Sequence, residues 1–285
     1  MKKLGLATYA GAPGLIDEDR PLLPLLKELG VEGVVLDWEK PRPAGLDAVL
    51  FRSCWNSHLK AGAFTHWVDS LGIPCWNPAT VVTANLDKAY LLKLASQGVP
   101  LPRTELVARG KAEQRQSRIL RTGYAEFVIK PTISATSYGT FRLRAEDSAG
   151  LAAALATIPE SMALLVQEFV PEIQTVGEES YIFFDGRFSH AVRKRAKPGD
   201  FRVQEEFGGS REGFTATETQ IAQAQEILRA GGAAEWLYAR VDVIPVAGQM
   251  LLMELEAIDP MFYFAWADAE ARPRFARAVA KRLGL

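Results

Sequence analysis

Hydrophobic and polar positions follow two alternating periods in the first eighty residues. Short apolar runs predict strands at Lys3–Ala7, Gly33–Leu36 and Ala48–Arg52. Apolar residues spaced three and four apart predict helices at Arg20–Leu29 and Gly62–Leu71, each followed by a glycine. Strands that alternate with helices are typical of an open, mainly parallel α/β sheet, which binds ligands at the carboxyl ends of its strands.

The pattern changes after residue 84. A helix is predicted at Asn85–Gln97, and the compact unit that follows contains strands at Thr104–Ala108, Phe127–Lys130 and Ala163–Phe169 and helices near Lys111–Thr122 and Asp147–Ala156. Beyond Pro171 we predict antiparallel strands and two helices: Ser180–Phe184, Arg187–Arg193, Ala239–Pro245, Leu251–Leu255, Thr217–Ala230 and Asp268–Leu283. The expected domains are therefore residues 1–84, 85–170 and 171–285.

Composition narrows the class of protein. The 285 residues carry a net charge of −1, so the chain has no general basic field for nucleic acid or a membrane surface. Cys54 and Cys75 are too few for a disulfide framework and are expected to be free thiols in a reducing compartment. No signal-peptide pattern is present, so we predict a cytoplasmic protein that acts on small molecules, and a homo-oligomer stays open.

Three carboxylates in the last third of the chain are predicted to converge. Glu254 and Glu256 lie two apart on a strand and so point to one face, and a hairpin turned at Pro245–Gly248 would bring Asp242 beside them. Crowded carboxylates repel one another unless a hard cation binds between them, and oxygen ligands suit Mg²⁺, with Mn²⁺ as the alternative. Three solvated strand residues are the structural alternative.

A lysine and a loop of small hydroxyl residues suggest phosphate binding. Lys130 ends a predicted strand, and the loop from Thr132 to Thr140 supplies Ser134, Thr136 and Ser137. Such a loop can place backbone amides and hydroxyls over phosphates while the lysine adds a point charge. Later, Gln167, Glu168, Phe169 and Val170 leave a strand into an extended linker, which suits an adenine edge or simply joins two domains.

Polar residues also follow two strands of the first domain. They are Asp19, Arg20, Arg52, Ser53 and Trp55, and we expect them to contact the reacting substrate, because ligands of such sheets bind at the carboxyl ends of the strands. Asp19 is placed to cap the helix that begins near Pro21. Arg52 is placed either to hold a substrate carboxylate through a bidentate pair or to form a structural salt bridge, and both interpretations stay open.

In order along the chain, these segments resemble the ATP-grasp superfamily from about Asn85 to Asp259. Lys88 and Lys130 resemble its two nucleotide-binding lysines, residues 167–170 its adenine-lining hinge, and Glu178 its acid near the ribose and phosphates. The segment Phe201-Arg202-Val-Gln204 through Gly208-Gly209 parallels the Phe-Arg-x-Asn-x-x-x-Gly-Gly motif of glutathione-synthetase-like members. The resemblance implies an ATP-grasp fold of α/β type with α+β subdomains, preceded by an N-terminal open α/β sheet (the pre-ATP-grasp domain).

Phrases such as Phe183-Phe-Asp-Gly and Phe188-Ser-His-Ala-Val extend the resemblance to the cycloserine-pathway (O-ureido-serine) cyclo-ligase subgroup over nearly the whole chain. Three residues depart from the synthetase pattern. Ser180 stands in place of a substrate-contacting arginine, Gln204 in place of Asn, and Glu256 in place of a metal-binding Asn, which adds a negative charge.

The resemblance implies an ATP- and Mg²⁺-dependent ligase. A substrate carboxylate would form an acylphosphate and ADP, and an amine-type nucleophile would then displace phosphate. We assign Arg193 and Arg202 to stabilising the transferred phosphoryl group, and Lys194 and Arg195 to surface salt bridges. A small-molecule kinase and a non-catalytic ATP-binding module are the alternatives.

Overall fold

The computed structural model describes all residues from 1 to 285 and contains three β-sheets. The first sheet is parallel, in the order β2-β1-β3-β4. Its strands and the helices around it are β1 (Lys2–Thr8), α1 (Leu22–Glu28), β2 (Val31–Asp37), β3 (Ala48–Ser53), α2 (Ala61–Asp69), β4 (Cys75–Trp76) and α3 (Ala79–Asn85). Strand β3 is buried on both faces, as expected for a strand of a parallel sheet covered by helices.

The second sheet is antiparallel, in the order β5-β8-β6-β7. Its elements are α4 (Tyr90–Ser96), β5 (Thr104–Val107), α5 (Ala112–Leu120), β6 (Glu126–Pro131), β7 (Phe141–Arg144), α6 (Ser148–Thr157) and β8 (Leu164–Glu168). The apolar sides of α5 and α6 share a core with the sheet that includes Ile119, Phe127 and Leu151. One face of this small sheet is therefore covered by helices.

The third sheet is antiparallel, in the order β11-β10-β9-β12-β13. Its elements are α7 (Glu172–Thr175), β9 (Glu178–Phe184), β10 (Arg187–Arg195), β11 (Ser210–Phe214), α8 (Glu218–Ala230), β12 (Tyr238–Val246), β13 (Gln249–Glu256) and α9 (Ala271–Arg282). Helix α8 packs its Ala224 and Ile227 against Tyr181, Val241 and other residues of one face of the sheet. The opposite face packs in part against α9 and the first sheet, through Ile182, Phe184 and Val192.

The first and third sheets share one hydrophobic core. Leu4, Leu6 and Leu50 of the first sheet pack in the same cluster as Phe184, Phe262 and Phe275 of the C-terminal region. The ring centroids of Phe262 and Phe275 lie 4.7 Å apart. Each fully buried side chain of this size contributes about 1.5–3 kcal/mol, so the N-terminal sheet is held firmly on the C-terminal one.

The structure corrects one predicted helix and adds elements that the pattern did not predict. The helix predicted at Asn85–Gln97 is interrupted, because α3 ends at Asn85 and α4 begins only at Tyr90. Tertiary contacts explain the break, since the backbone amide of Lys88 donates to Thr132 O at 2.7 Å. Strands β7 and β11, which the hydrophobic pattern did not predict, complete the second and third sheets.

The mixed α/β architecture agrees with the predicted fold class. None of the helices combines the length and the apolar character needed to cross a membrane.

Candidate active site

A cavity of about 510 Å³ lies between the second and third sheets. Its floor includes alternate residues of β12, namely Ile244, Asp242 and Arg240, which point to one face because strand residues alternate. The register with β13 places Glu254 opposite Asp242 and Glu256 opposite Arg240. The floor therefore changes from apolar at one end to charged at the other.

The three predicted carboxylates do converge. One oxygen of each of Asp242, Glu254 and Glu256 lies within 4.8 Å of the others. Burial, reinforced by the nearby charge of Glu254 and opposed by Arg240, raises the pKa of Glu256 to about 7. Burial thus disfavours the charged form of this carboxylate, and the all-oxygen donor set of the three suits a hard divalent cation.

Cationic side chains partly offset this crowding. The Nζ of Lys88 lies 2.8 Å from Glu254 Oε1 and also donates to Ser134 O at 2.8 Å. Arg240 forms ion pairs with both Asp242, at 2.9 Å, and Glu256. Lys194 lies 3.2 Å from Asp242 and forms an ion pair with Glu178 as well. Each carboxylate thus has a cationic partner within the protein.

The residues predicted to contact phosphates line the same cavity. Lys130 comes from β6, and Ser134, Thr136 and Ser137 come from the loop that follows it. Burial and the neighbouring charge of Lys88 lower the pKa of Lys130 to about 8. Its positive charge is destabilised by this environment, so a nearby anion would be stabilising.

Gln167, Glu168, Phe169 and Val170 line the apolar end of the cavity, beside Val128, Ile244 and Met253. The Arg142 guanidinium stacks 3.6 Å from the Phe169 ring centroid, and Arg103 Nε bonds Glu168 at 2.7 Å. These contacts fix an extended segment with an apolar floor beneath it. Such a slot has the shape and polarity that a planar heterocycle requires.

Glu178 reaches the cavity because a glycine precedes it. Gly177 has a φ of +97°, and a Cβ there would lie 2.3 Å from Lys194 O. Only glycine fits this conformation and this close approach. Burial raises the pKa of Glu178, opposed by the charge of Lys194.

Arg202 lies at the cavity edge, as its predicted role requires. Its guanidinium stacks 3.8 Å from the Phe207 ring centroid and pairs with Asp200 at 2.8 Å. The hydrogen bond to Asp200 raises the pKa of Arg202. Nearby, Gln204 also lines the cavity, and its Oε1 atom is buried without a hydrogen-bond partner.

The structure reverses the expected positions of Arg193 and Lys194. Arg193 lies outside the cavity, where it bonds Glu179 Oε1 at 2.6 Å and stacks 4.7 Å from the Phe214 ring centroid. Lys194, which we had assigned to the surface, is 6% exposed and lines the cavity. Neighbouring strand residues point to opposite faces, so only one of the two can reach the cavity. Arg195 forms an exposed ion pair with Glu212.

Of the residues predicted to contact substrate, only Trp55 lines the cavity. Arg52 and Asp19 are 0% exposed and form an ion pair at 2.9 Å. Ser53 is also fully buried and its hydroxyl lies 2.9 Å from that of Thr8, whereas Arg20 pairs with Asp17 at the surface. Of the two interpretations of Arg52, the structure shows the salt bridge.

The interface residues act on the loop that closes the far end of the cavity. Arg52 donates to Pro260 O at 3.1 Å, and its guanidinium lies 4.0 Å from the Phe262 ring centroid. Glu18 accepts from the backbone amides of Phe262 at 2.6 Å and Phe264 at 3.2 Å. The N-terminal domain therefore positions the residue 259–264 loop through these interface residues, which do not line the cavity themselves.

Among the cavity residues that sequence reasoning missed are Arg211, Arg240, Asp259 and Tyr263. Tyr263 has a φ of +56°, and the charged groups of Lys194, Arg211 and Arg240 lie 5.8, 5.0 and 5.5 Å from its ring centroid. A non-glycine residue in this conformation is strained and is held there by its surroundings. Arg240 had a local signal, because it lies two residues before Asp242 on the same strand.

Two family descriptions cover most of the chain. Residues 4–77 match the N-terminal domain of D-cycloserine synthetase DcsG, and residues 86–261 match the RimK-like ATP-grasp domain. The cycloserine biosynthesis protein DcsG of Streptomyces lavendulae is 32% identical over 94% of this chain and 95% of its own length. A probable alpha-L-glutamate ligase of Xanthomonas euvesicatoria pv. vesicatoria is 27% identical over 80% of this chain and 76% of its own.

Solved structures agree with these matches. The crystal structure of D-cycloserine synthetase DcsG has a TM-score of 0.85 and 31% identity, covering 99% of both chains. The D-alanine–D-alanine ligase of Bacillus anthracis shares the fold, with a TM-score of 0.67 at 17% identity over the full length of both chains. The class is that of ATP-dependent ligases of the ATP-grasp type, whose members use ATP and divalent metal ions. Within that class, the chain belongs to the RimK-like ATP-grasp family, which confirms the resemblance.

Proposed function

We propose that this ligase uses ATP and Mg²⁺ to activate the carboxylate of a small molecule as an acylphosphate, which an amine-type nitrogen then attacks. The order of groups along the cavity floor carries the proposal. Apolar Ile244 lies beside the 167–170 segment, Asp242 and Glu254 follow, and Arg240 lies beyond them. ATP placed along this floor has its adenine at the apolar end, its phosphates at the carboxylates and its reacting end near Arg240.

The nucleotide would be held by the residues that line the first two parts of the floor. Adenine would occupy the slot at Gln167, Glu168, Phe169 and Val170, with Glu178 toward the ribose and phosphates. Lys88, Lys130 and the hydroxyls of Ser134, Thr136 and Ser137 would surround the phosphates. These assignments are supported by the shared cavity and by the low pKa of Lys130, which indicates a place for negative charge.

Asp242, Glu254 and Glu256 would hold Mg²⁺. When bound, the ion supplies neutralisation and in-line alignment of the β- and γ-phosphates. The protein would keep Arg240 and Lys194 beside the same carboxylates, so that positive charge surrounds the phosphoryl group on the side away from the nucleotide. Arg202, at the cavity edge, would stabilise the transferred group from the opposite side.

The first step is attack of a carboxylate oxygen on the γ-phosphorus as the bond to the β-phosphate oxygen breaks, which gives the acylphosphate and ADP. In the second step the nitrogen forms a bond to the acyl carbon, and the bond from that carbon to the phosphate oxygen breaks. No protein nucleophile is required, because alignment and charge neutralisation supply the catalysis.

The substrate we propose is an O-ureido-serine-type amino acid, which closes on itself. Support comes from the relative named D-cycloserine synthetase, whose similarity includes the N-terminal domain. That domain contributes Trp55 to the cavity and fixes the residue 259–264 loop at its reacting end. Similarity in the N-terminal domain therefore supports a similar acceptor substrate, because this domain lies at the reacting end of the cavity and not at the adenine end.

The proposal predicts ADP and phosphate release that depends on O-ureido-serine, ATP and Mg²⁺ together. Adding hydroxylamine should divert the acylphosphate to a hydroxamate, which a colorimetric assay detects. A stable phosphorylated product without hydroxamate would identify a kinase instead. Tight ATP binding with no turnover on any carboxylate would contradict the proposed reaction.

A further inference from the structure

The loop after β13 places a fourth carboxylate at the far end of the cavity. Asp259 lies three residues beyond Glu256, lines the cavity near Met261 and Tyr263, and is 7% exposed. Its Oδ2 atom is buried and has no hydrogen-bond partner. A buried acceptor left unpaired is costly and uncommon, so its position in a cavity indicates a place for a donor from a ligand.

The other carboxylates of the floor are already committed. Asp242, Glu254 and Glu256 have ion-pair partners in Arg240 and Lys88, whereas Asp259 has none. Arg52 is the main group that lowers the pKa of Asp259, but its own ion pair is with Asp19. Asp259 therefore keeps one oxygen, Oδ2, without a partner in the protein.

Burial raises the pKa of Asp259 to about 6, against the opposing effect of Arg52. The group is therefore ionised at neutral pH and becomes protonated as the pH falls through about 6. A carboxylate with a pKa close to the working pH is a better proton acceptor than an ordinary surface aspartate.

The position of Asp259 is also fixed. The loop that carries it is held by the hydrogen bond from Arg52 to Pro260 O, at 3.1 Å, and by the two backbone amides that donate to Glu18. A base must lie within hydrogen-bond reach of the proton that it accepts, and a rigid loop keeps it there.

We infer that Asp259 is a catalytic residue, the general base that accepts a proton from the attacking nitrogen. The inference rests on the proposed function and assigns a residue to its second step. The nitrogen lone pair forms the bond to the acyl carbon, and the phosphate leaves with the electron pair of the carbon–oxygen bond. One N–H proton of the nitrogen passes to Asp259 Oδ2.

The test compares two fates of the same acylphosphate in Asp259→Asn. With O-ureido-serine, ATP and Mg²⁺, the variant should form the cyclic product about 10²- to 10⁴-fold more slowly than the wild type. Hydroxylamine is unprotonated at neutral pH and needs no base, so hydroxamate formation should stay within about twofold of the wild-type rate. Asp185→Asn, in an ion pair with Lys281 outside the cavity, should keep both reactions.

Thermal unfolding of each variant checks the fold. Should Asp259→Asn be unfolded, Asp259→Glu retains the charge and moves the oxygen, and it should show the same separation of the two reactions. Loss of both reactions by a folded variant would assign Asp259 to positioning or structure, and retention of both would exclude a role as base. If the wild type itself formed no hydroxamate, the acylphosphate mechanism would fail, and the assignment of Asp259 with it.

Discussion

Two clusters of charged residues lie on either side of the residue 259–264 loop, and their surroundings differ. The cavity cluster consists of Asp242, Glu254, Glu256, Lys88 and Arg240. The interface cluster consists of Glu18, Asp19 and Arg52, between the first and third sheets. In the interface cluster, the Asp19 and Arg52 side chains are 0% exposed, whereas the Glu254 and Glu256 side chains of the cavity cluster are 29% and 19% exposed.

The difference shows that ionic residue types alone do not identify a ligand site. The Arg52–Asp19 ion pair of the interface cluster is buried between packed elements, and Arg52 also stacks on Phe262. Neither side chain is therefore accessible to solvent or to a ligand. Glu254 and Glu256 of the cavity cluster are paired yet partly exposed, whereas Asp242 is buried beside them. Access from the cavity therefore distinguishes these two carboxylates from the fully buried pair of the interface cluster.

The largest expected effect is on stability, from the interface cluster. Arg52→Met removes one partner of a buried pair and leaves Asp19 as an unpaired buried charge, which should lower the free energy of unfolding by about 3–5 kcal/mol. Chemical denaturation monitored by circular dichroism measures this. Arg20→Met is the matched control, because Arg20 pairs with Asp17 at the surface and should change stability by at most about 1 kcal/mol. Equal changes in the free energy of unfolding for the two substitutions would mean that the Arg52–Asp19 pair is not shielded from solvent.

The cavity cluster predicts a loss of turnover without a loss of stability. Glu254→Gln removes a charge from the centre of the three converging carboxylates and should lower Mg²⁺-dependent ADP formation about 10²- to 10³-fold. Glu212→Gln, on the same sheet but outside the cavity, should leave ADP formation unchanged. Near-normal turnover in a folded Glu254→Gln protein would remove Glu254 from the metal site.

The smallest expected effects distinguish Arg193 from Lys194, two neighbouring residues of β10. Lys194→Met leaves Asp242 and Glu178 without their shared cation and should lower turnover about tenfold, with ATP titrations showing whether binding or the chemical step is affected. Arg193→Met should instead leave kcat nearly unchanged and lower the free energy of unfolding by about 1–3 kcal/mol, because Glu179 is buried. The opposite result would restore Arg193 as the catalytic cation.

Local sequence predicted that the three carboxylates converge, partly from a short-range rule. Residues two apart on a strand share a face, which places Glu254 and Glu256 together, but the pairing of Asp242 with Glu254 also requires a register shift between Asp242 and Val243 that the sequence did not show. Alternation alone does not decide which of Arg193 and Lys194 faces the cavity, because it says only that they point to opposite faces. Strand β10 also has a register shift, between Phe188 and His190.

The interrupted helix around Lys88 has a similar explanation. A continuous helix over Asn85–Gln97 fits the local pattern, but the Asn85 side chain bonds the backbone of Leu255 and Ala257, 170 and 172 residues away. The backbone amide of Lys88 is taken by Thr132. Contacts at such separations leave no trace in the local periodicity.

By itself, the sequence determined the class of fold and the set of charged residues available to a site, because periodicity and turn chemistry act within a few residues. Only the tertiary structure decided which of those charges face the cavity. Arg52 and Lys194 illustrate this, since each could be surface, buried or catalytic by local criteria. Their environments are set by partners 33 to 208 residues distant, and burial against those partners is a property of the folded chain.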